Sequence, residues 1–146
     1  MIDVKEVRKK TAKALSKKKQ KDKIEKEEKK KQQKQLNSTY RKLGKKMADE
    51  LLPSLEAKII EEAENGYSNT DLEVLSCEGA HEYLSKNSEK YRVAKFAAEI
   101  LVKYEKSKGM SSNVNFYNYP NKEFDGWSMV KYTSGYVTKI EVSVSW

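Results

Sequence analysis

Hydrophobic positions are scarce over the first 35 residues and become regular only afterwards. Val4, Val7, Thr11 and either Ala14 or Leu15 fall at spacings of three and four, which predicts one narrow helical stripe. Between Ser16 and Gln35 the only hydrophobic side chain is Ile24, so no a/d seam runs through that stretch and a continuous coiled coil is not expected. Leu36, Tyr40, Leu43, Met47 and Leu51 then recur at intervals of four, three, four and four. That near-heptad face suits packing against another helix or against a copy of itself, and these five residues are the expected oligomer or partner contact. Pro53 removes a backbone donor and predicts a kink or a break. A second helix is expected over 54–65 with Leu55, Ile59 and Ala63 on one side, ended by Gly66.

Beyond Gly66 the period changes. Leu72 and Val74 alternate with Glu73, which predicts a short strand over 71–76. A helical region is expected from about Gly79 to Lys108, either continuous or divided into two helices at Asn87-Ser88. Its stronger half has Val93, Phe96, Ala97, Ile100, Leu101 and Tyr104 on one face, Ser88 as N-cap and Gly109 as the stop. The C-terminal residues read as a meander of three strands, over 114–119, 127–133 and from Tyr136 onward. Pro120-Asn121 and Ser134-Gly135 are the turn signals between them. In the last strand Tyr136, Thr138, Ile140, Val142, Val144 and Trp146 point one way and Val137, Lys139, Glu141, Ser143 and Ser145 the other. A buried terminal Trp146 would make its removal cost about 3 to 5 kcal/mol. The expected fold class is α+β: a long charged N-terminal helical arm followed by a small α-β-α-β-β-β domain with an antiparallel sheet. Three regions follow: residues 1–35 as a Lys-rich arm, 36–66 as kinked amphipathic helices and 67–146 as the compact domain. The order differs from the βαββαβ of RNA-recognition domains, and no RNP-type aromatic run is present.

Charge sharpens this division. The chain has 146 residues, 36% charged against 37% hydrophobic, and a net charge of +8. Residues 1–35 hold 15 Lys and Arg against 6 Asp and Glu, a net +9, while the remaining 111 residues carry −1. The arm has two competing states. Lys, Glu and Gln are good helix formers, and Asp22 to Lys26, Glu25 to Lys29 and Glu27 to Lys31 are helix-supporting pairs. Low hydrophobicity with high net charge favours disorder instead. In function the arm also reads two ways. Lys9, Lys10, Lys13, Lys17, Lys18, Lys19, Lys21, Lys29, Lys30, Lys31 and Lys34 could contact phosphates of DNA or RNA without reading bases. Arg8 is the only arginine there, and a mixed Lys/Glu run also suits a solubilising spacer.

Candidate chemistry is sparse. No apolar run is long enough to span a bilayer and no secretory h-region is evident, so a cytoplasmic setting without membrane contact is expected. The single Cys77 and single His81 leave little for a transition-metal site. Four residues apart, they would face each other only on a common helix, and no third member completes a thiol triad. Glu61, Glu62 and Glu64 diverge around a helix, which favours an exposed surface over a cation site. Gly44-Lys45-Lys46 lacks the flanking residues of a phosphate loop. No catalytic residue, metal or cofactor is expected. The aromatics Phe116, Tyr117, Tyr119, Phe124, Trp127, Tyr132, Tyr136 and Trp146 read as core plus an oligomer contact in preference to a base-stacking platform, since only Lys122, Lys131 and Lys139 lie near them.

The run Glu61-Glu62-Ala63-Glu64-Asn65-Gly66 before a strand, and the terminal Ile140-Glu141-Val142-Ser143-Val144-Ser145-Trp146, resemble the style of small bacteriophage-encoded accessory proteins over about the last 95 residues. The resemblance implies no active site. It implies a role in virion assembly or in blocking a host factor, in the host cytoplasm or the virion. The expected function is therefore a non-enzymatic, homo-oligomeric interaction protein whose partners are itself and another protein. The alternative is sequence-independent binding of DNA or RNA through the arm.

Overall fold

A computed structural model describes residues Met1–Trp146 and shows an α+β fold. The elements are helix α1 (Val4–Glu64), strand β1 (Asn69–Gly79), helix α2 (Glu89–Ser107) and strands β2 (Ser111–Phe124) and β3 (Lys131–Ser145). The chain divides into two units, Met1–Thr39 and Tyr40–Trp146. The first is helical from Val4 and contains no buried residue. The closely spaced ion pair there is Glu6 to Lys10, at 3.0 Å, with the acid on the N-terminal side. The three acid-to-lysine pairs expected from Asp22, Glu25 and Glu27 are not closed.

In the second unit the fold is two-layered. The three strands form one antiparallel sheet in the order β1-β3-β2, so the last strand is central. Its even-numbered residues Thr138, Ile140, Val142 and Val144 are buried, as the alternation predicts, while Val137, expected on the opposite face, is buried as well. Ala48, Leu55 and Ile59 of α1 and Tyr91, Ala94, Ala98 and Leu101 of α2 close the core with them. Two of the buried polar side chains are hydrogen-bonded across the fold: Thr138 Oγ1 accepts from the Leu84 N–H at 3.0 Å, and the Ser112 hydroxyl donates to the Ser143 carbonyl at 3.0 Å. The opposite face of the sheet is polar, with Asn115 Nδ2 donating to Ser143 Oγ at 2.6 Å and Lys139 paired with Glu73 at 3.2 Å.

The two helices run in the same direction and meet closely at Gly44, where an added Cβ would lie 2.7 Å from Phe96 Cβ. Arg41 covers the Phe96 ring at 5.5 Å and Arg92 the Tyr40 ring at 6.0 Å. At the other end Glu56 takes Lys108 at 2.7 Å and the Tyr104 hydroxyl at 3.3 Å. The hydrogen bond from Lys108 lowers the Glu56 pKa, and the same bond raises that of Lys108.

Several expectations need correction. α1 passes through Pro53 without a break, because Leu55 and Ile59 beyond it are held in the core and outweigh the lost backbone bond. No helix forms over 79–87. β1 continues to Gly79, a loop follows, and Ser88 caps α2 by accepting the Tyr91 N–H. The buried face of α2 is rotated in part from the expected one: Ala97 and Leu101 are buried as expected, but Ala94, Ala98, Val102 and Glu105 join them inside while Tyr104 is exposed. Small alanines face the sheet and let the helix approach it.

The sheet also has one strand fewer than α-β-α-β-β-β requires. Pro120-Asn121 and Ser134-Gly135 are not turns. They face each other across one long ladder, with Pro120 opposite Tyr136 and Asn121 opposite Gly135, and Ser134 is the extra residue where the register shifts. Pro120 is tolerated because β2 is an edge strand. The chain end differs too. Trp146 is 41% exposed and is tied down by its backbone N–H, which donates to the Ser68 carbonyl at 3.0 Å.

Candidate interaction site

The long β2-β3 hairpin ends in a loop, 125–130, that is built around one carboxylate. Asp125 accepts the Trp127 N–H at 2.9 Å and the Ser128 hydroxyl at 2.7 Å, while its backbone N–H donates to the Val130 carbonyl at 3.0 Å. These bonds, led by Ser128, hold the Asp125 pKa below its ordinary value. Met129 takes a left-handed conformation at φ 57°, uncommon for a residue with a Cβ. The loop thereby presents Trp127 at 98% exposure, with Phe124, Met129 and Val130 exposed beside it. Across the ladder the Tyr132 hydroxyl donates to Glu123 at 2.9 Å, which raises the tyrosine's pKa.

The core half of the expected core-plus-contact role of the C-terminal aromatics does not hold, with Tyr136 alone half-buried. Phe116, Tyr117, Tyr119, Phe124, Trp127, Tyr132 and Trp146 are all exposed. Near the helices some rings have partners: Phe116 stacks on Tyr91 at 6.4 Å, and Tyr136 meets Tyr83 edge-on at 5.0 Å. At the tip Phe124 and Trp127 have none. Because β2 and β3 are continuous through their supposed turns, these residues are carried past the end of α2 and find no helix to cover them. The sequence held one overlooked signal, Asp125-Gly126, a dipeptide that favours hairpin connections.

The cations near these rings are balanced. Lys139 is held by Glu73, and the hydrogen bond between them raises the lysine's pKa. Lys122 and Lys131 share the tip with Glu123 and Asp125. An exposed aromatic cluster of neutral charge has the composition of a protein-contact centre, whereas base stacking couples rings to a cationic groove.

A second feature lies between α1, β1 and α2. It is a groove of about 730 Å³ with walls from Leu43 and Met47, Val74 and Leu75, and Val93, and a rim of Lys46, Glu50, Glu89 and Lys90. A bulge in β1 at Val74 turns both Val74 and Leu75 inward, which gives the groove its apolar floor. No helix of the chain is long and apolar enough to cross a membrane.

Of the five stripe residues, Met47 and Leu51 pack against the core of their own chain and Tyr40 lies beneath Arg92. Leu36 and Leu43 stay exposed, at 45% and 39%. The eleven arm lysines named above are all exposed, and of the fifteen Lys and Arg before Thr39 only Lys10 makes an ion pair. Cys77 sits half-buried on β1 opposite Thr138, and His81 is in the exposed loop that follows. Glu61 and Glu64 are exposed on α1 and Glu62 half-buried. No group of three His, Cys, Asp or Glu is placed to hold a metal ion.

Comparison with protein-family models, curated proteins and solved structures finds no relative of this chain. What the chain offers chemically is thus read from its own surfaces: an ordered apolar projection, an apolar recess and a solvated polycation.

Proposed function

We propose that this chain is a non-enzymatic interaction protein that self-associates and engages a protein partner through the tip of its β2-β3 hairpin. The observation that carries this reading is the fully exposed Trp127, held by the Asp125 carboxylate among exposed Phe124, Met129 and Val130. Trp, Tyr and Met dominate the centres of protein interfaces, and a loop already ordered before binding avoids much of the entropic cost of docking. In the setting that the phage-accessory resemblance implies, the partner is a virion component or a host factor in the cytoplasm. The test replaces Phe124, Trp127 and Met129 together by Ser in the full chain. Association, read by light scattering over a concentration series, is expected to disappear while far-UV circular dichroism is unchanged. Unaltered association would remove the hairpin from the reading.

A second reading is favoured by a different observation, the near absence of ion pairs in the arm. Free lysines at net +9 would bind DNA or RNA without base readout, with affinity falling steeply as salt rises. Replacing Lys17, Lys18, Lys19 and Lys21 by Gln is expected to weaken binding to mixed-sequence DNA at low salt and to flatten the salt dependence. Equal affinity for both proteins at every salt concentration would rule the arm out.

A further inference from the structure

Both an unfilled apolar projection and an unfilled apolar recess belong to the unit Tyr40–Trp146. We infer that they are mates: the hairpin tip of one copy, led by Trp127, docks in the α1-β1-α2 groove of a second copy. This rests on the reading of the chain as an interaction protein and names its partner.

Size and order agree with that pairing. The groove, at about 730 Å³, is in the range of pockets that enclose a small ligand, ample for an indole and a neighbouring thioether. Trp127 is 98% exposed, so the groove of its own chain does not take it. The Asp125 hydrogen bonds fix the tip before contact.

Charge selects among occupants. The groove rim has two cations and two anions, and so does the tip, with Lys122 and Lys131 against Glu123 and Asp125. Two mixed sets can pair without leaving a charge unmatched. Another apolar stripe on the chain, Val4 to Leu15, carries five basic residues against Glu6 alone and gains nothing from a neutral rim. A nucleic acid would set phosphates against Glu50 and Glu89 in an apolar trough. A tip and a groove that differ in surface produce a closed dimer when the exchange is reciprocal and a chain of copies when it is not.

Sedimentation of the full-length protein tests this with Trp127→Ser, Leu43→Glu and an equal mixture of the two. Trp127 and Leu43 are both exposed, so the variants are expected to keep the wild-type circular dichroism. The wild type is expected to associate in the micromolar range and each variant at least tenfold more weakly. The mixture, in which one variant supplies an intact groove and the other an intact tip, is expected to associate more tightly than either alone. In a Trp146→Phe background the fluorescence of Trp127 is expected to shift to shorter wavelength as concentration rises. A wild type that stays monomeric at several hundred micromolar overturns the inference and self-association, leaving the hairpin to a different protein. Association that neither variant weakens overturns only the tip-groove contact. Weakening by both without recovery in the mixture overturns it in favour of tip-to-tip contact, and an unshifted Trp127 spectrum overturns burial of the indole.

Discussion

Residues 4–39 and 40–64 of α1 share one conformation and reach it by different means. The first stretch has no buried residue, and its residues between Ser16 and Gln35 are almost all Lys, Glu and Gln, free of Gly and Pro. The second contains Gly44 and Pro53, the two poorest helix formers, yet Gly44, Ala48, Leu55 and Ile59 are buried on one face. In the first stretch the backbone is helical because most of its residues, the Lys, Glu, Gln and Ala, favour it. In the second the core overrides what the residues favour. Secondary structure alone therefore says nothing about which part of a helix is anchored, and the two stretches should answer to opposite perturbations.

The comparison breaks first at Leu55, which is fully buried. Leu55→Ala is expected to destabilise the folded unit by about 2 to 5 kcal/mol in urea unfolding, leaving hydrogen exchange in residues 4–39 unchanged. Gly44→Ala sets the two influences against each other. Alanine favours a helix by about 1 kcal/mol, but its Cβ would meet Phe96 Cβ at 2.7 Å, and overpacking costs about 1 to 3 kcal/mol. Net destabilisation is expected, and a stabilised variant would mean that the helix crossing yields freely.

The packed region also contains a buried carboxyl that the arm has no counterpart for. Both oxygens of Glu105 are enclosed without a hydrogen-bond partner, and burial raises its pKa. A group whose folded pKa lies above its unfolded value supports the fold most below the unfolded value, near 4.5, and loses that support as pH rises through the folded one. Glu105→Leu is expected to stabilise the protein at pH 7 by about 1 to 3 kcal/mol and to erase this pH dependence. Equal stability of both proteins at pH 7 would show that the carboxyl is solvated. Deleting Trp146 is expected to cost about 1 to 2 kcal/mol, from its backbone hydrogen bond and the partial burial of its ring. Smallest on global stability is Ala14→Gly. It should lower helical circular dichroism and amide protection in the arm while the unfolding midpoint stays in place.

How much of this was legible follows the same division. Ser88 and Gly109 bound α2 through local chemistry, a side-chain cap and a positive φ, and both are visible in the sequence. The alternation of Thr138, Ile140, Val142 and Val144 likewise locates the central strand. Pro120-Asn121 and Ser134-Gly135 misled because each is a turn signal alone, and only their placement opposite one another turns them into a bulge within a ladder. The rotated face of α2 and the exposure of Trp127 depend on what packs where, which no local pattern specifies. For the candidate site, the stripe from Leu36 to Leu51 was visible as apolar, but its division between core and surface is set by the crossing at Gly44.

Both outer strands of the sheet are irregular, β1 through the extra residue at Val74 and β2 through Pro120, beside the register shift at Ser134 of β3. A flat, unbroken outer strand is a template for the next chain, and stacking of that kind has no natural end. Here a newcomer strand would find a missing donor on one side and a broken rhythm on the other. Growth by adding strands is thus discouraged, so whatever assembly the exposed aromatic surface directs is kept from running on through the sheet edges.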